Sequence, residues 1–163
     1  MCLCFARRIL HTFESCAIYD VRVKVSLVPF GQNSEAASRN PQTIRILHVE
    51  DSPIVAGLVQ DIAEHESWEV ENCIDGDAAL EELVGHTQYD LLLVNFEVPV
   101  LNGLELMEQV RTMPHRRYMP VVMMSGTLSE AVARKAGANA FLRKPQDIGL
   151  LAETINRLLD LNA

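Results

Sequence analysis

Beyond residue 43 the sequence repeats one arrangement five times: a short apolar run, a polar residue or two closing it, and then a stretch with helical spacing. The runs lie near 44–49, 68–73, 90–95, 120–125 and 139–142, lengths that suit strands rather than helices. Strands alternating with helices form a parallel sheet covered on both faces, because each crossover helix has to bury its apolar side against the sheet. The expected fold is α/β: a doubly wound, five-stranded parallel sheet. The first helix should open at Ser52-Pro53, with the Ser hydroxyl as N-cap and Pro at the first helical position, where its missing N–H costs nothing. Ile54, Val55, Leu58, Val59 and Ile62 give that helix an apolar face. Further helices are predicted at 76–84 after Asp75, at 104–111, at 129–136 and at 147–161, and Pro99 with Asn102-Gly103 marks a tight loop after the third strand.

Residues 1–43 read differently and are taken as an N-terminal extension and linker before a domain spanning 44–163. Residues 31–43 are rich in Gly, Asn, Ser, Gln and Pro, the composition of a linker. Between 18 and 28 Val21, Val23, Val25 and Leu27 alternate with Arg22, Lys24 and Ser26, a strand-like period without an obvious partner strand. Cys2, Cys4, Cys16 and His11 match none of the usual zinc spacings, and a terminal Cys pair beside Arg7 and Arg8 would suit acylation; free thiols are the plainer reading. Cys73, inside a predicted strand, reads as a small buried apolar residue.

Charge narrows the function. The chain carries −8 overall, but residues 44–163 hold nine Lys and Arg against nineteen Asp and Glu, a net of −10, which argues against nucleic acid as a partner of the folded part. No run approaches the roughly 18 apolar residues that span a bilayer, and the charges of the first residues follow the short apolar run instead of preceding it, the wrong order for a secretory signal. A cytoplasmic protein, with membrane association not expected, follows from these features.

In an open parallel sheet the chemistry gathers outside the carboxyl ends of the strands, where loops and helix N-termini converge. Glu50 and Asp51 close the first strand, Asn95 the third and Ser125 the fourth, and Lys144-Pro145 follows the fifth. This constellation resembles the response-regulator receiver family over about 120 residues. The resemblance is carried by Ile46-Leu47-His48-Val49-Glu50-Asp51, by Asp90 through Asn95 with Pro99 and Asn102-Gly103, by Val121 through Gly126, and by Gly137-Ala138 leading to Phe141-Leu142-Arg143-Lys144-Pro145. It implies a flavodoxin-like (βα)5 fold and a role in two-component phosphorelay signalling. Glu50 and Asp51 would hold Mg²⁺ through hard carboxylate oxygens, and Lys144 would offer a cation to a phosphoryl oxygen. Ser125 would hydrogen-bond that group and move with the activation switch, Phe141 would stand at the coupled aromatic position, and the Lys144-Pro145 bond would be cis.

One departure decides the functional reading. The family accepts phosphate on an Asp at the end of the third strand, whereas this chain has Asn95. An amide oxygen has its lone pair drawn into resonance and carries no full charge, so it forms no ordinary acyl phosphate. Losing a charge weakens the Mg²⁺ site and leaves Lys144 to pair with Glu50 and Asp51. Glu97, two residues on, would partly restore the lost acid if it reached the pocket. A second departure is the spacing from Ser125 to Gly137, about three residues shorter than is usual in the family, which trims nearly a turn from the fourth helix and alters the face of fourth helix, fifth strand and fifth helix that serves for output and dimerisation.

The expectation is a non-enzymatic pseudo-receiver that acts by phosphorylation-independent contact with a protein partner: a histidine kinase, another regulator, an output protein or a second copy. No DNA-binding output domain is expected after the final helix, so output would pass through that partner. Two alternatives stay open at this stage. One is a phosphorylatable receiver in which Asn95 replaces a native Asp by engineering or deamidates to it, although the bulky Phe96 hinders the cyclisation that deamidation needs. The other is a flavodoxin-like small-molecule binder, disfavoured because Glu-Asp-Ser-Pro rather than a Gly-rich run follows the first strand. His48, His65, His86 and His115 suggest no nucleophile-base pair.

Overall fold

A computed structural model of the chain describes residues 43–160. Five strands and five helices alternate: β1 (Arg45–Val49), α1 (Pro53–Glu66), β2 (Glu69–Cys73), α2 (Gly76–Val84), β3 (Leu91–Asn95), α3 (Gly103–Thr112), β4 (Val121–Ser125), α4 (Glu130–Lys135), β5 (Ala140–Arg143) and α5 (Leu151–Asp160). The strands form one parallel sheet in the order β2-β1-β3-β4-β5, the doubly wound flavodoxin-like arrangement expected. The cysteines and His11 near the amino terminus, the alternating stretch 18–28 and the linker up to residue 42 lie outside the described residues.

Burial explains why the central strands are runs of apolar residues rather than alternations. Every residue of β3 and β4 is buried, because helices cover both faces. On one face Leu47, Val49, Leu92 and Val94 pack with Leu106, Met107 and Val110 of α3 and with Leu83 of α2. On the other, Ile46, Leu91 and Leu93 pack with Val59 and Ala63 of α1 and with Leu151 and Ile155 of α5. The edge strand β2 buries only Cys73 and leaves Glu69, Glu71 and Asn72 exposed.

Three local expectations need correction. Ile54 and Leu58 are exposed, and the sheet-facing stripe of α1 is Val55, Val59, Ile62 and Ala63; the apolar set was right in period but about one residue, some 100°, wide of the face that meets the sheet. Ser52 is the N-cap residue of α1, yet its hydroxyl makes no capping bond. Its amide instead donates to Glu50 Oε1 at 3.2 Å, so the carboxylate ending β1 holds this turn. The last helix begins later than residue 147: a single 3-10 turn, Ile148–Leu150, precedes α5. Asp147 is engaged with β5, its carboxylate accepting from the Arg143 amide at 2.9 Å and its own amide donating to the Arg143 carbonyl at 2.8 Å. The fourth helix has six residues, short as its spacing implied, and the Lys144-Pro145 bond is cis.

Candidate functional site

Parallel pairing brings the carboxyl ends of the strands into line: Val49 stands opposite Cys73 and Val94, Asn95 opposite Met124, and Ser125 opposite Arg143. The loop from β3 to α3 is fixed from behind by Gly103. Its amide donates to the Phe96 carbonyl at 3.0 Å, and a Cβ at this position would stand 2.6 Å from the Asn95 carbonyl oxygen, so only glycine lets α3 approach this closely. Asn102 caps α3 through a capping box with Glu105, its Oδ1 accepting from the Leu104 and Glu105 amides. Val100 in the same loop is exposed and holds φ at +68°, a conformation β-branched residues rarely adopt.

The sequence-predicted residues fall into two groups around this loop. In the first, Glu50 is buried and its Oε2 pairs with Lys144 Nζ at 2.8 Å. Asn95 is buried beside it. Its Nδ2 donates to Glu50 Oε1 at 3.2 Å, to Asp51 Oδ1 at 3.4 Å and to the Glu97 carbonyl at 3.1 Å, while its Oδ1 accepts from the Glu97 amide at 3.3 Å. Three pure acceptors on one side and a pure donor on the other leave the amide only one orientation that satisfies them. The amide hydrogens therefore serve the same carboxylates that a divalent cation would use.

This arrangement bears on the Mg²⁺ expected of the family. Glu50 and Asp51 offer suitable hard oxygens, but Asn95 turns a donor toward them, and an ion could be held there only after that amide gave up its contacts with Glu50 and Asp51. The residues present are thus a poor fit for the ion. Among the described residues no group of three His, Cys, Asp or Glu side chains is placed to hold a metal.

In the second group, Ser125 is fully buried. Its Oγ donates to the Glu97 carboxylate, 3.3 Å from Oε2, and accepts from the Thr127 and Leu128 amides at 3.0 and 2.9 Å. The Thr127 hydroxyl also donates to Glu97 Oε1. Glu97 therefore turns toward Ser125 and Thr127 and not toward Glu50 and Asp51. Phe141 is partly buried against the cluster beneath α2 and α3. Thr127 was not singled out in the sequence; its only signal there is a hydroxyl two residues past Ser125 in a loop that borders the pocket.

His48 belongs to the core beneath this site, while His65, His86 and His115 are exposed. Its Nδ1 lies 2.7 Å from Asn72 Oδ1, and its Nε2 is buried with no hydrogen-bond partner among the described residues. Burial lowers its pKa to about 4; the Asn72 bond opposes the shift and the charge of Lys144 adds to it. The ring is neutral at pH 7. A histidine in an otherwise apolar strand was the sequence signal for it.

A profile described as the response regulator receiver domain matches residues 46–156, more than half of the chain. The chain belongs to the response-regulator receiver family. It is 32% identical over 115 residues to the response regulator ArlR of Staphylococcus saprophyticus, a match covering 71% of this chain and 52% of that protein, so the chain spans about half the length of this curated relative. The signal receiver domain of a signal transduction histidine kinase from Syntrophus aciditrophicus superposes with a TM-score of 0.65 at 30% identity, covering 72% of this chain and 91% of that one. The receiver domain of the sensor histidine kinase PA1611 from Pseudomonas aeruginosa, solved with a magnesium ion coordinated in its active site cleft, superposes with a TM-score of 0.66 at 23% identity, covering 72% and 98%. This receiver is therefore a domain of two-component signalling. Among its described residues no helix is long and apolar enough to cross a membrane.

Proposed function

We propose that this receiver is a phosphorylation-independent interaction module, a pseudo-receiver that signals by binding a protein partner and catalyses no reaction of its own. One observation carries this reading: the Asn95 amide closes β3 and donates to both Glu50 and Asp51. An acceptor Asp would be a nucleophile and a third anion; Asn95 is neither. Lys144, whose charge would otherwise meet a phosphoryl oxygen, is held by Glu50 at 2.8 Å. Glu50 and Asp51 already receive Lys144 and the Asn95 amide, and Mg²⁺ binding there is correspondingly weak.

The partner is a histidine kinase, another regulator, an output protein or a second copy, met in the cytoplasm through the face formed by α4, β5 and α5. Six residues of α4 give that face its own shape, and the acidic surface disfavours nucleic acid. The working module spans residues 44–163, with 1–43 as an extension.

Incubating the chain and an Asn95→Asp variant with Mg²⁺ and acetyl phosphate, followed by intact mass, tests this proposal. The expected result is a phosphoryl adduct on the variant alone. An adduct on the native chain would mean that another residue accepts phosphate and that the reading is wrong.

A further inference from the structure

Ser125 Oγ has one proton and two lone pairs. The lone pairs take the Thr127 and Leu128 amides, and the proton goes to the Glu97 carboxylate. The Thr127 hydroxyl goes to the same carboxylate. The hydroxyl that would meet a phosphoryl oxygen on residue 95 is therefore already committed to an anion that belongs to the chain.

The direction of that anion is set by residue 95. The Asn95 side chain grips the backbone of Glu97 in both senses, Nδ2 donating to its carbonyl at 3.1 Å and Oδ1 accepting from its amide at 3.3 Å. An ionised Asp in the same place could accept but could not donate, and half of the grip would be lost. Val98, the next residue, is buried and anchors the segment on the other side. Asn95 and Glu97 thus work as a pair: the amide that cannot take phosphate also aims the carboxylate that stands in for it.

We propose that Glu97 is a permanent internal acceptor for the Ser125 and Thr127 hydroxyls, holding the loop between β4 and α4 in one state without any phosphoryl group. The inference rests on the reading that Asn95 takes no phosphate and adds how the switch is set. Because the loop leads directly into α4 and the face it shares with β5, that face is presented to a partner in a single form. The chain then reports its presence and concentration rather than the activity of a kinase.

The test uses the full chain with neither Mg²⁺ nor phosphodonor present, so it is independent of the phosphorylation experiment. Amide hydrogen exchange is measured by NMR at Thr127 and Leu128, whose N–H groups rest on Ser125 Oγ, in the native chain and in Glu97→Ala, Glu97→Gln and Asn95→Asp variants. Glu97→Ala should raise exchange at these two amides about five- to tenfold, the worth of one ordinary hydrogen bond, and leave the β3 amides unchanged. Glu97→Gln, which keeps an acceptor oxygen, should fall within about twofold of native. Asn95→Asp should raise exchange like Glu97→Ala, and the double variant should add less than about twofold, because the two act as a unit. Unchanged exchange at Thr127 and Leu128 in Glu97→Ala overturns the proposal. So does an increase spread evenly through the core strands, which would show only a general loss of stability.

Discussion

The two halves of the pocket solve the same problem with opposite chemistry. On the side of β1, two carboxylates crowd together and are answered by cations and donors: Lys144 on Glu50, and the Asn95 amide on both Glu50 and Asp51. On the side of β4, two hydroxyls face a single carboxylate, Glu97. The first half is built on a buried carboxylate, whereas Glu97 and Thr127 stand at the solvent boundary. Asn95 touches both halves, through donors on one side and through the backbone of Glu97 on the other. Unlike a carboxylate of the same size, an amide can donate and accept at once, and that property, as much as the absence of a negative charge, lets one residue close both sides.

If the acidic half depends on its countercharge, removing Lys144 is the severest way to break it. Glu50 would be left buried beside Asp51 with only neutral donors, and Lys144→Ala should cost about 3 kcal/mol by urea denaturation, the lower end of the range for breaking a buried pair because the Lys side chain keeps some contact with water. Adding Glu50→Gln should recover part of the loss.

Protonation of His48 probes the core beneath the same half. Its folded pKa of about 4 lies below the ordinary histidine value of 6.5, so protons bind the unfolded chain more readily. The native state is then unaffected above pH 6.5 and loses stability as pH falls from there toward 4. Between neutral pH and about pH 4.5 the loss is roughly 2–3 kcal/mol. A His48→Leu variant, compared with the native chain at both pH values, should lack that component while keeping the part due to carboxylates.

Asn95→Asp tests the balance between the halves directly. Without Mg²⁺ the variant places a third carboxylate where an amide served two, and should be less stable by about 2 kcal/mol. Adding Mg²⁺ should restore it, since an ion that binds only the folded state stabilises that state, while the melting temperature of the native chain should hardly respond. The smallest effect belongs to the loop that joins the halves. Val100 holds a left-handed backbone conformation, and Val100→Asn should stabilise the chain by about 1 kcal/mol, an increase in melting temperature readily followed by circular dichroism.

What could be read from the sequence was what depends on period and on position along the chain. Five apolar runs gave the sheet, and the polar residues closing them gave Glu50, Asp51, Asn95, Ser125 and Lys144 as a group, because strand ends in a parallel sheet share one edge. The direction of a long side chain on a loop depends on torsions that leave no period behind. Glu97 is legible as an acid near the pocket, but its turn toward Ser125 and Thr127 is not. Thr127 could be recognised only once Glu97 had a direction. Ile54 and Leu58 share the period of the buried face and still lie outside it, since period fixes which residues form a stripe but not the angle at which the helix meets the sheet. Trp68, just before β2, lies at the amino-terminal end of the strands, away from the pocket, so its fluorescence is a poor reporter of events at Asn95.

Titrating Mg²⁺ into the native chain and into Asn95→Asp, while following the amide resonances of Glu50, Asp51 and residue 95 by NMR, tests most directly whether the Asn95 amide stands where the ion would. Saturable shifts are expected in the variant and none beyond a weak, linear salt response in the native chain at about 10 mM, a level at which any site of functional strength would fill. Saturable shifts of the native Glu50 and Asp51 resonances in the low millimolar range would contradict it, because Asn95 would then be yielding its place to the ion.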